Sequence, residues 1–184
     1  MKTYFSILRG INVSGQKSIK MADLKAIYES LGFSNVHTYI QSGNVVFNST
    51  SINCDEIIKI IQFAILEKYN FDVPVLVFTI QDLDQTIDGV ELLKLKQEGF
   101  DKVHVTFLSS IPHFDLVNKL EGFDFSPDLF VIKGNVIYVY CPNGYGKTKL
   151  SNAFFENKLK INATTRNWKS VHALKHLYQE YFLN

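Results

Sequence analysis

Arginine is scarce in this chain of 184 residues: Arg9 and Arg166 stand against seventeen lysines. Where lysine is the default cation, an arginine suggests a place that wants a rigid, planar, bidentate donor, although each could equally tie a loop to backbone carbonyls. Cysteine is equally scarce. Cys54 and Cys141 form no disulfide framework and no paired metal spacing, which favours a reducing compartment. Long apolar runs are missing too. The longest strand-like stretch, Val73 to Phe78, is six residues, far short of a membrane span. The opening MKTYFSILRG lacks the apolar core of a signal peptide. A cytoplasmic protein with no membrane partner is expected.

What is present describes an ordinary globular chain. Apolar residues make up 46 % and charged ones 20 %, enough core for one large domain or two small ones and too little charge for a disordered chain. The net charge of +1 conceals a division. Residues 81–128 hold ten acids and four lysines, whereas residues 133–176 hold seven lysines and one arginine against Glu156 alone. An acidic middle and a basic end suggest mutual packing, an anion-facing surface, or simply solvated faces.

Along the chain, TYFSILRG (3–10) is rich in strand formers. MADLKAIYESLG places Met21, Leu24, Ile27, Tyr28 and Leu31 on one helical face and ends at Gly32, a C-cap glycine. VHTYIQ and NVVFNS flank Ser42-Gly43, a compact hairpin signal. The spacing of Ile57, Ile60, Ile61, Ala64 and Ile65 predicts a helix over 55–69, closed by Asn70 and followed by the apolar strand 73–80. This order, βαββαβ, is the ferredoxin-like unit.

The second half repeats it: VHVTFL (103–108), a short helix HFDLVNKLE, a hairpin of LFVIKG and NVIYVY, a helix from about Lys147 to Leu159, and an extended piece around NATTR. The hairpins QSGNVVF from Gln41 and IKGNVIY from Ile132 share Gly-Asn-Val, and with the matching element order they point to internal duplication. The expected fold is therefore α+β, two tandem ferredoxin-like units plus a C-terminal helix. The first unit spans 1–80, an acidic connector 81–100, and the second unit 101–184. Its last helix, Trp168 to Phe182, carries an apolar stripe through Val171, Leu174, Tyr178 and Tyr181 and is expected to lie across the sheet as a lid.

The stretch CPNGYGKTKLS, 141–151, has the glycines and the Gly-Lys-Thr of a phosphate loop. The register is wrong, because the Walker pattern needs glycine where Cys141 stands. Three lysines remain oddly placed, Lys20 at the start of the first helix and Lys147 and Lys149 at the start of another. A cation there opposes the helix dipole by roughly 0.3–1 kcal/mol, and a bound anion would reconcile the two. The alternative is a lysine in open water. His172 and His176 have helical spacing but no third ligand, so no metal and no cofactor are expected. Against the RNA-binding strand motif, Asn135, Ile137 and Tyr140 supply one aromatic of three.

From LRGINVSGQKSIKMADL through TYIQSGNVVF, and again from KTKLSNAFF to TTRNWKSV, the chain resembles the bacterial family called domain of unknown function 1697. The resemblance implies a tandem ferredoxin-like α+β fold and no established activity. It points to Arg9, Gly10, Asn12, Lys20, Tyr39, Gln41, Ser42, Gly43, Asn44, Lys149, Thr165, Arg166, Asn167 and Trp168. Departures are Ser14 for a glycine, Thr148 for a serine, Ser170 for a threonine, and Phe78 where similar proteins often carry arginine.

Together these features favour a protein that binds an anionic or nucleotide-like ligand in a cleft between the units. Arg9, Lys20, Lys147, Lys149 and Arg166 would supply charge; Asn12, Gln41, Ser42, Asn44, Asn167 and Trp168 complete the candidate set. The first alternative is an enzyme on a phosphorylated or acyl substrate. It would need a general base, and the marked blocks hold no carboxylate beyond Asp23 and no histidine beyond His37. The second is nucleic-acid binding through the basic C-terminal region, which would be steeply salt-dependent. Catalytic residues and the oligomeric state are left unassigned.

Overall fold

The computed structural model describes residues 1–13, 15–94 and 97–183. In chain order the elements are β1 (Lys2–Leu8), α1 (Met21–Ser30), β2 (Ser34–Tyr39), β3 (Asn44–Ser49), α2 (Cys54–Tyr69), β4 (Val75–Thr79) and α3 (Ile80–Asp88). Then come β5 (Val103–Leu108), α4 (Phe114–Glu121), β6 (Leu129–Lys133), β7 (Val136–Tyr140), α5 (Asn152–Leu159), β8 (Ala163–Asn167) and α6 (Trp168–Phe182). The strands form two four-stranded antiparallel sheets, ordered β2-β3-β1-β4 and β6-β7-β5-β8. The chain divides into two compact units, Met1–Asp84 with His172–Asn184, and Gln85–Val171.

In the first unit the alternation of β1 sends Tyr4 and Leu8 into a core shared with α1 and α2, beside Tyr28, Phe47, Ile61 and Val77. Phe5 and Ile7 point to the other face and are buried as well. α2 forms where its isoleucines recur at helical spacing, and Ile57, Ile61 and Ile65 are fully buried. Each such side chain stabilises by about 1.5–3 kcal/mol relative to exposure. Both of its ends are built by asparagine: Asn53 accepts from the Asp55 and Glu56 amides, and Asn70 ends the helix at φ +56°. Gly32 follows the cap of α1 at φ +84°, its amide bonded to the Glu29 carbonyl.

The second unit repeats the pairings. Ser6 lies opposite Val45 as Thr106 lies opposite Ile137, and Ile7 opposite Leu76 as Phe107 lies opposite Thr164. Equal order and equal pairing are consistent with duplication. They also correct the hairpin comparison. Sequence identity sets Asn44 against Asn135, whereas pairing sets Asn44, opposite Ile7, against Val136, opposite Phe107. Turn length is the reason: residues 40–43 join β2 to β3, and Gly134-Asn135 alone joins β6 to β7. A slip of one residue turns every side chain to the other face. Asn44 is thus buried in a strand while Asn135 makes a turn.

One further expectation changes. The helix expected from Lys147 begins at Asn152, where the Ser151 hydroxyl accepts from the Phe154 amide at 3.2 Å. Lys147 and Lys149 therefore precede the helix, in a stretch shaped by Gly144 at φ +93° and one 3-10 turn, Tyr145–Lys147. The connector 81–100 carries most of α3 and two short helical turns, Gly89–Leu93 and Gln97–Lys102, and the division between units falls inside it. α6 is divided too, with 172–184 grouped with the first unit. Leu95 and Lys96 of the connector, and Ser14 of the opening motif, lie outside the described residues. Among the described residues no helix is long and apolar enough to cross a membrane.

The units differ most in their connections. Residues 31–33 link the first helix of unit one to its second strand, and 122–128 make the same link in unit two. Residues 50–53 lead from β3 into α2, and 141–151 lead from β7 into α5.

Candidate functional site

The marked residues of the first unit interlock. Asn12 sits at φ +56° and works as a brace: its Nδ2 donates to the Ile19 carbonyl at 2.9 Å and the Gln41 carbonyl at 2.8 Å, while its Oδ1 accepts from the Ile19 amide at 2.8 Å. Gly43 lets the hairpin come down on this loop. A Cβ there would lie 2.7 Å from Leu8 Cβ, and the Gly43 carbonyl accepts from the Leu8 amide at 2.8 Å. Asn44 is buried, and its Nδ2 donates to the Tyr39 carbonyl and to the Ser42 hydroxyl. Asn12 and Asn44, which looked available for a ligand, brace the loop and the hairpin instead. Arg9 is half-buried and its amide continues the ladder to the Pro74 carbonyl. Gln41 and Lys20 are exposed, the latter at the N-cap of α1 without a side-chain cap bond.

In the second unit the marked residues separate by strand parity. Thr165 faces the helices and gathers a polar network: its hydroxyl donates to Asn152 Oδ1 at 2.6 Å and lies 2.7 Å from the Thr106 hydroxyl and 3.0 Å from the Tyr145 hydroxyl. The His104 ring stacks on Tyr145 at 4.5 Å, and burial holds its pKa below the ordinary histidine value. Arg166 points to the opposite face, paired with Val105. Its Nη1 donates to the Thr165 carbonyl at 2.9 Å, and burial pushes the guanidinium down to about 10. Asn167 caps α6 by accepting from the Ser170 amide at 2.8 Å, and Trp168 meets Phe100 edge to face. Arg9 and Arg166 belong to different units.

Lys147 and Lys149 line a cavity of about 430 Å³ in the second unit. One wall is Asp124, Phe125, Ser126, Pro127 and Asp128; the other is Asn143 and Gly144 with the two lysines. The walls are stitched together: the Thr148 hydroxyl donates to Asp128 Oδ2 at 2.6 Å and accepts from the Leu150 amide at 3.0 Å. Gly144 bonds back to Cys141, and Lys147 to Gly144, so the loop is ordered by its own backbone. Asp124 accepts from the Ser126 amide at 2.9 Å, and the Ser126 bonds hold its carboxyl below the usual range. The acidic middle and basic end of the chain thus face each other here. Cys141, behind the loop, is buried, and burial pushes its thiol up. It is no reactive thiolate.

Sequence reasoning missed the acidic wall. A comparison of connection lengths between the two halves would have found it, because every lining residue lies in 122–128 or 141–151, the connections that are longer in unit two. No group of three metal-binding side chains occurs among the described residues. His176 lies 3.8 Å from Glu180 in an exposed helical pair.

No curated protein matches the chain. A solved structure, that of the conserved bacterial protein SP0830 from Streptococcus pneumoniae, is similar with a TM-score of 0.71 over 96 % of this chain and 98 % of that one, at 20 % identity. Likeness at that identity speaks for the fold alone. The family model described as "Protein of unknown function (DUF1697)" matches residues 1–138, which takes in the LRGIN and TYIQSGNV motifs and stops short of TTRNW. The chain belongs to this family of proteins of unknown function.

Proposed function

We propose that the protein binds a small anionic ligand in the cavity of its second unit, with Lys147 and Lys149 meeting the anion. One observation carries this reading: both walls of the cavity come from connections longer than the same scaffold needs, as 31–33 and 50–53 of the first unit demonstrate. Long loops that are nonetheless ordered by internal hydrogen bonds tend to carry function, and a volume of about 430 Å³ suits a small molecule. Arg9, Lys20 and Arg166 are not needed for it. A nucleotide-like ligand falls within the same class. The shared strand order and pairings support descent of the two units from one duplicated ferredoxin-like βαββαβ element, and two unpaired cysteines favour a reducing, cytoplasmic setting.

Calorimetric titration with inorganic phosphate, pyrophosphate and adenosine monophosphate tests the reading. At least one is expected to bind, and the Lys147→Ala, Lys149→Ala double variant should lose that binding while keeping its melting temperature. Heat signals that are absent for all three, or unchanged in the double variant, would overturn it.

A further inference from the structure

The cavity is not simply cationic. Its lining holds two lysines on one wall and two aspartates on the other, so it is neutral overall. A plain dianion would gain the lysines and meet the aspartates at the same time. Both carboxylates already accept a hydrogen bond from the protein. Asp124 is held below the usual carboxylate range by its bonds from Ser126, and Asp128 takes the Thr148 hydroxyl on one oxygen. Each ionised carboxylate has about four acceptor sites, so these bonds leave room for another donor. Among the described residues neither aspartate forms an ion pair with Lys147 or Lys149.

We infer that the ligand is a small zwitterion, bearing a phosphate or carboxylate for Lys147 and Lys149 and a primary amine for Asp124 and Asp128. This rests on the ligand-binding reading above and narrows it. A molecule with one charge of each sign matches both walls, whereas a phosphate alone satisfies one wall and is repelled by the other. Charge complementarity of this kind sets specificity more than raw affinity, so the discriminating quantity is a ratio between two ligands.

The test is titration of the full chain with inorganic phosphate and with phosphoethanolamine, followed through the backbone amide resonances of 122–128 and 141–151. Phosphoethanolamine is expected to bind at least tenfold more tightly than phosphate. Asp124→Asn with Asp128→Asn should bring the two within about twofold, because the amine loses its partners and the phosphate loses its repulsion. The side-chain amide oxygen introduced by Asp128→Asn still accepts from Thr148, and Asp124→Asn alone serves if the pair disturbs the fold. Equal affinity in the native chain, or binding of phosphate only, overturns the zwitterion and leaves anion binding standing. Binding of neither overturns both.

Discussion

Arg166 holds in the second sheet the place that Phe78 holds in the first. Phe78 lies opposite Phe5 and stacks on its ring at 5.3 Å, and Arg166 lies opposite Val105; the neighbouring pairs Ile7–Leu76 and Phe107–Thr164 fix the equivalence. One fold position thus carries an aromatic ring in one unit and a guanidinium in the other. The ring has an aromatic partner across the strand. The guanidinium is half-buried, burial pushes its pKa down to about 10, and it donates to the Thr165 carbonyl.

Phe78→Arg is expected to destabilise the protein by about 3 kcal/mol or more, since it removes a stacked pair and places a cation in a face that is 6 % exposed at this position. Arg166→Met should change stability by only about 1 kcal/mol, because relief of a desolvated charge offsets the lost hydrogen bonds. Urea unfolding midpoints decide. A Phe78→Arg chain as stable as the native one would show that the apolar face tolerates charge.

Gly43→Ala should be among the costliest single-methyl additions in the first unit. The residue sits at φ +72°, and the new Cβ would meet Leu8 Cβ at 2.7 Å and Ile11 Cδ1 at 2.8 Å. Backbone strain of about 1–2 kcal/mol adds to an overpacking cost of about 1–3 kcal/mol. Thermal unfolding should show a drop of several degrees, and an unchanged midpoint would mean that the hairpin lifts away from Leu8 and Ile11 without penalty.

The strands and the first two helices were legible because local chemistry decides them: isoleucine spacing, Asn70 at the end of α2, and Gly32 after α1. The start of α5 was not. Gly146-Lys147-Thr148 reads as helix entry by pattern, yet Ser151 is the better N-cap and the turn before it is fixed by Thr148 bonding to Asp128, twenty positions away. The roles of Asn12 and Asn44 were hidden for the same reason. Each bonds to groups that only the folded hairpin brings near, so polar residues that resembled ligand-binding groups turned out to be braces. The shared Gly-Asn-Val misled because register depends on turn length, which identity does not reveal.

His104 gives the protein a pH response of defined sign. Burial lowers its pKa from the ordinary 6.5, outweighing the opposing hydrogen bond to the Lys102 carbonyl. With a lowered folded value, the unfolded chain takes up its proton first as pH falls. The stability contribution is therefore full above 6.5 and declines as pH falls from there through the folded value. His104→Phe keeps a ring on Tyr145 and removes the titration, so its stability between about pH 7 and pH 5 should fall less steeply than that of the native chain. His37 is also lowered, but it is common to both proteins and cancels in the difference. Identical slopes would show that His104 does not carry the response.

Thr148 ties the two walls of the cavity, and its removal should loosen the loop more than the fold. Thr148→Val keeps the shape but deletes the donor to Asp128 and the acceptor for the Leu150 amide, one of them a bond to a charged group. The loss is about 2 kcal/mol, placed locally because the loop opens without unfolding the sheet. Amide hydrogen exchange across 141–151 should accelerate on the order of tenfold or more, with β5 and β7 protected as before. Thr148→Ser restores the hydroxyl and should restore slow exchange. If the valine variant exchanges like the native chain, the backbone turns at Gly144 and Tyr145 suffice to order the loop, and the threonine–aspartate bond is a consequence of the cavity's shape instead of its cause.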